Sequence, residues 1–165
     1  MNVQNKSSLN FGAYSVAKCA DLSLYRISNN SDIYALKRFC KNTNFKRLMP
    51  NISEKESNRW HEMLEIAIDN AQSDGNVTYV AAKNDKLCGI ITYFPNPTTF
   101  IDCVCTVPTK VGQKVKFAGQ ALFYQVFKDF SEYNGSRIKL SAITDGPYNT
   151  INKYKKLGFK ETFDG

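Results

Sequence analysis

Tyr154 opens the run Tyr154-Lys155-Lys156-Leu157-Gly158-Phe159 near the C-terminus of a chain of 165 residues. The spacing predicts a helix that opens near Pro147, carries Ile151, Tyr154 and Leu157 on one face and is stopped by Gly158, which tolerates the positive φ of a C-cap. A tyrosine one turn from such an end can project its hydroxyl into a cleft beyond the sheet edge. That makes its phenol a candidate for proton transfer. Two carboxylates are candidates for the opposite task, taking up a proton. Asp102 lies within the probable strand Thr99–Val107, where an unpaired carboxylate is costly to bury unless it is paired or beside a cleft. Asp145 follows the probable strand that starts at Arg137. His61, the only histidine, lies next to the buried stripe of a helix and is expected among its solvent-facing residues.

A third constellation is the basic run Lys114-Val115-Lys116-Phe117-Ala118-Gly119 at the start of a helix. Free N–H groups and the positive end of the helix dipole, with two lysines beside them, suit a pyrophosphate.

The elements that must position these groups follow from periodicity. Leu22–Ile27 reads as a strand, and Ser31 caps a helix through about Asn42. Ser53-Glu54-Lys55-Glu56 is a capping box that opens a helix to Gln72, with Trp60, Met63, Leu64, Ala67, Ile68 and Ala71 as its buried stripe. From Asn76 the period changes to that of strands: 77–82 and 87–94 form a hairpin about the turn at Asn84-Asp85-Lys86, and 99–107 is a third antiparallel strand. Residues 115–133 are helical, and Arg137–Thr144 alternates as a strand. Because a helical crossover reaches that strand, it should lie parallel to the one before it. The order is β-α-α-β-β-β-α-β-α-β, with Phe159 starting the last strand.

A length of 165 residues fits one domain that buries roughly two-thirds of its unfolded surface. We expect an N-terminal arm over 1–20 and a core over 22–163, with no signal peptide and no membrane span. Hydrophobic residues make up 42% of the chain, too many for disorder. Cys19, Cys40, Cys88, Cys103 and Cys105 lack paired metal spacing, so they read as reduced thiols in a cytoplasmic protein without a metal. Cys103 and Cys105 share one face of their strand as small hydrophobes. The net charge of +7 favours anionic partners, whether a phosphorylated cofactor, an acidic substrate or nucleic acid, or else acts as a solubilising excess.

The order of elements and the two local motifs together resemble the GNAT superfamily of acyl-CoA-dependent N-acetyltransferases, over about Leu22 to Phe163. Tyr154-Lys155-Lys156-Leu157-Gly158-Phe159 is similar to the family's Tyr-x-x-Leu-Gly-Phe, whose tyrosine protonates the thiolate in many members. The family's phosphate loop, Gln or Arg, two residues, Gly, one residue, then Gly or Ala, maps onto Lys114, Phe117 and Gly119, so two of its three positions depart. Phenylalanine in place of the first glycine threatens close backbone approach to phosphates. Val115, Lys116 and Ala118 complete the loop, and Cys105-Thr106-Val107 matches the strand that pairs with the pantetheine arm. Asn149 stands near, though not at, the family's asparagine.

The resemblance implies a mixed, mostly antiparallel sheet flanked by helices, with a V-shaped opening between the third hairpin strand and the strand from Arg137. It also implies transfer of acetyl from acetyl-CoA to a primary amine by direct attack in a ternary complex. Helices between Ile33 and Gln72 would line the acceptor pocket for a small molecule or peptide amine. Two other readings remain open: a toxin-like relative acting on charged tRNA, and a non-catalytic CoA-binding or interaction module. The family's final antiparallel strand is missing, and either Phe11–Val16 or a partner subunit of a homodimer should cover that edge.

Overall fold

A computed structural model describes residues 15–19, 21–142 and 150–162. One six-stranded sheet runs in the spatial order β1 (Ser15–Cys19), β2 (Leu22–Arg26), β3 (Val77–Lys83), β4 (Lys86–Phe94), β5 (Thr98–Thr106) and β6 (Arg137–Leu140). Every neighbouring pair is antiparallel except β5 and β6, which are parallel as the crossover rule requires.

Two helical layers cover the sheet. On one face lie α1 (Asn30–Asn42), α2 (Phe45–Leu48) and α3 (Glu54–Ala71), burying Leu36, Phe45, Leu64, Ala67 and Ile68 against Val80, Ile90 and Cys105. On the other, α4 (Ala118–Glu132) buries Ala121, Leu122 and Val126 against Tyr79, Ile91 and Tyr93, and α5 (Ile151–Lys156) adds Tyr154 at its margin. Gly89 allows this closeness, because a Cβ there would stand 2.9 Å from Leu122 Cδ1.

The capping box forms as expected: Ser53 Oγ accepts from Glu56 N–H, and Glu56 Oε2 accepts from Ser53 N–H at 3.0 Å. Other boundaries move. Asn29 rather than Ser31 caps α1, its Oδ1 accepting from Asp32 N–H at 2.9 Å. The start of α4 is Ala118, not Val115, because Phe117 takes φ 67°, which a helix cannot propagate through.

Two expectations about the sheet edges are corrected. Ser15–Cys19 pairs with β2, so the N-terminal strand covers the edge opposite β6 instead of the C-terminal one. The segment after Gly158 is not a strand: 159–162 is irregular, and Phe159 packs its ring on Phe123 and Phe127. Apolar contact there outweighs strand pairing. No helix among the described residues is long and apolar enough to cross a membrane.

Candidate functional site

β5 is nine residues long and β6 is four, and they pair only over Thr98–Ile101 with Arg137–Leu140. Beyond Ile101 the two strands no longer pair, and the second half of β5 is held by β4 alone among the described residues. Val107 N–H is taken up by Cys88 C=O at 2.9 Å. Since peptide groups alternate sides along a ladder, Val104 and Thr106 turn theirs toward the split. The side chains of Cys105 and Val107 are buried in the α1–α3 core, whereas Thr106 is exposed.

The first turn of α4 meets the end of β5, where a Cβ on Gly119 would lie 3.8 Å from Thr106 Cγ2. Phe117 precedes that turn at φ 67° and ψ 3° without a side-chain cap, and no acidic residue occupies the turn. Ala121 N–H already bonds Phe117 C=O at 2.9 Å, so the donors that precede it in the turn have no helical partner. Lys114, Lys116 and Phe117 are exposed around them. Left-handed backbone is the region glycine enters without penalty, so Phe117 holds it at the cost of strain. Gly112 N–H anchors the loop upstream on Leu48 C=O at 2.8 Å.

Tyr154 is half-buried at the margin of the α4-side core, with its ring edge-on to Phe123 at 5.8 Å and Phe159 at 6.1 Å. Burial pushes its hydroxyl upward in pKa, and the Thr150 hydroxyl pulls it back. On β5, apolar surroundings and then Asp102 push the Cys103 thiol up to about 11, so it stays protonated at neutral pH. Its Sγ donates to Met63 C=O on α3 at 3.6 Å.

Asp102 is the extra residue of a β-bulge. Thr92 pairs with Cys103 and Tyr93 with Ile101, leaving Asp102 opposite no residue of its own. A bulge re-aims a side chain, and Asp102 is exposed rather than buried in the sheet. Its apolar neighbours still push the carboxyl above the ordinary carboxylate range. The bulge thus sets Asp102 and Cys103 together opposite Thr92 of β4. Asp145 and Asn149 lie outside the described residues.

His61 is half-buried, edge-on to Phe45 at 4.6 Å, and not on the solvent face. It lines a groove between α1 and α3 with Lys37, Lys41 and Glu65, away from the split. Periodicity missed a buried polar cluster under α4: Tyr79 and Tyr93 both donate to Asp129 Oδ2, at 2.5 and 2.6 Å, and Gln125 Nε2 donates to Oδ1 at 3.0 Å. Burial, then these bonds, push both phenols upward in pKa. The cluster joins α4 to β3 and β4 and lies apart from the split.

No protein-family model matches the sequence, and no curated protein sequence matches it significantly. Solved structures do match the fold. A ribosomal-protein-alanine N-acetyltransferase from Brucella melitensis biovar Abortus 2308 superposes with a TM-score of 0.58 at 13% identity, covering 87% of this chain and 95% of its own. The PaiA N-acetyltransferase of Thermoplasma acidophilum, solved with coenzyme A, gives 0.56 at 19% identity, covering 87% and 93%. An aminoglycoside acetyltransferase from an uncultured soil metagenomic sample gives 0.53 at 15% identity, covering 88% and 93%. The chain has the GNAT acetyltransferase fold.

Proposed function

We propose that the protein is an N-acetyltransferase that moves the acetyl group of acetyl-CoA to a primary amine by direct attack in a ternary complex. The observation that carries this reading is the split sheet: beyond Ile101, β5 has β4 as its one strand partner among the described residues, beside the uncapped first turn of α4. An extended amide-bearing arm can add to the open side of β5 at Val104 and Thr106 as a pseudo-strand. The pyrophosphate then falls to the free N–H groups of Ala118 and Gly119, with Lys114 and Lys116 as point charges. Several structural neighbours with this fold are N-acetyltransferases, and two of them were solved with coenzyme A.

In the reaction the amine nitrogen forms a bond to the thioester carbonyl carbon, and the carbon–sulfur bond breaks as the tetrahedral intermediate collapses. Asp102, directly or through water, takes the proton that the amine must shed. Tyr154 gives its proton to the departing thiolate, for which burial keeps the phenol protonated. Asp145 is a second candidate base, and Asn149 a further cofactor contact.

Calorimetric titration with acetyl-CoA, followed by an acetyl-transfer screen over amine classes, tests the reading. Micromolar binding and N-acetylated product are expected. Absence of acetyl-CoA binding overturns it, and binding without transfer to any amine leaves the non-catalytic module instead.

A further inference from the structure

The half of the β4–β5 sheet face that continues from Asp102 away from the split carries two exposed aromatic rings. Phe94 and Phe100 are Cα partners across the strands, each 41% exposed. They share a face with Asp102 and Cys103, since Phe94 follows Thr92 and Ile90 by twos along β4 and Phe100 precedes Asp102 by two. Gly75 makes room for one side of the Phe94 ring, because a Cβ there would approach Cε2 to 3.0 Å. Ile66, one turn along α3 from Met63, is 52% exposed. Lys139 is the Cα partner of Phe100 on β6, with Ile138 and Leu140 beside it committed to the opposite, α4 side.

Among these residues, Asp102 is the carboxylate, Phe94, Phe100 and Ile66 make an apolar floor, and Lys139 stands beyond it. A cation gains from Asp102, while a second cation reaching along the floor meets Lys139. The floor recovers free energy only from apolar surface. Polyamines and aminoglycosides, with several ammonium groups and little apolar area, fit that distribution poorly.

We infer that the acceptor is a primary monoamine bearing an apolar body of aromatic size, its nitrogen at Asp102 and its body on Phe100 and Phe94. The inference rests on the acetyltransferase reading. Because Phe94 and Phe100 lie in the same sheet that forms the split, a body held on them presents its amine toward the bulge, where the thioester would lie.

The test uses the full chain with acetyl-CoA and 2-phenylethylamine, tryptamine, spermidine and kanamycin as acceptors. kcat/KM should be at least about tenfold higher for the two aromatic monoamines. Phe100→Ser, an exposed position whose loss spares the core, should raise KM for 2-phenylethylamine about tenfold with kcat within about twofold, as expected for an aromatic surface that binds ground and transition states alike. Direct titration of 2-phenylethylamine into the acetyl-CoA-free protein should weaken by the same factor. Lys139→Ala should raise kcat/KM for spermidine. A preference for spermidine or kanamycin overturns the inference while the acetyltransferase reading stands. Equal binding of 2-phenylethylamine to wild type and Phe100→Ser also overturns it, and lack of acetyl-CoA binding removes both.

Discussion

The amide N–H of Phe159 donates to the carbonyl of Tyr154 at 3.1 Å, and their rings meet edge to face with centroids 6.1 Å apart. Gly158 between them has φ 100°, and its N–H donates to Lys155 C=O at 3.0 Å. The pair of bonds is a Schellman cap, with Tyr154 at the third position from the end and Phe159 just past it, joined by the apolar contact that accompanies this cap. The Tyr-x-x-Leu-Gly-Phe spacing is therefore a device for ending α5 with its tyrosine ring fixed from two sides, by Phe159 and by Phe123. Fixing the ring fixes where its hydroxyl reaches, which is what a proton donor needs.

Tyr154→Phe separates that role from packing. The ring contacts with Phe123 and Phe159 survive the change, so the melting temperature should stay within a degree or two. If the hydroxyl protonates the leaving thiolate, kcat should fall about 100-fold with acetyl-CoA affinity unchanged. Burial raises the phenol's pKa, so the wild-type donor stays protonated at neutral pH and is lost only on the alkaline side of an ordinary tyrosine. An alkaline limb below pH 10 that persists in Tyr154→Phe would point to another donor.

What the sequence made legible here were the features encoded within a few consecutive residues. The Ser53/Glu56 capping box, the Gly158 stop and the period change at Asn76 are local, and each forms as read. What it concealed depends on distant partners. The bulge at Asp102 exists only relative to β4, and a strand read alone gives alternation that hides the extra residue. The Asp129 cluster joins residues 36 and 50 apart in sequence. Which edge Ser15–Cys19 covers is equally hidden, because those residues do not themselves specify the strand they pair with.

Phe117 provides a test of backbone against side chain. At φ 67° a residue with a Cβ pays about 1 kcal/mol that glycine does not. Phe117→Gly should therefore be more stable than Phe117→Ala by about 1 kcal/mol in urea denaturation, although both remove the same exposed ring. If this turn holds the pyrophosphate, Phe117→Gly should also bind acetyl-CoA at least as tightly as wild type. Equal stability of the two variants would mean that the left-handed turn is not what this position requires.

Asp129 should prove structural and not catalytic. Tyr79 and Tyr93 are 4% and 2% exposed, and both hydroxyls donate to its carboxylate. Asp129→Ala orphans two buried donors at once, for a loss of about 3 kcal/mol measured by urea unfolding. Removing the donors instead, in Tyr79→Phe with Tyr93→Phe, should cost less than the sum of the single changes, since the two hydroxyls share one oxygen. Activity per folded molecule should change little, because the cluster lies under α4 and away from the split.

Asp102 sets the acid side of the pH profile. A carboxylate accepts a proton only when ionised, and apolar surroundings hold this carboxyl above its ordinary value near 3.9. As pH falls through the raised pKa the base is lost, so the acidic limb of kcat/KM should lie above pH 4 and steepen where this group and the protonating amine act together. Asp102→Asn should remove this lower component and leave the limb set by the amine alone, with the rate at the optimum falling about 100-fold. Its bulge position is exposed, so the amide replaces the carboxylate without burying a polar group, and the melting temperature should hold. A profile that keeps both components in Asp102→Asn would move the base assignment to Asp145.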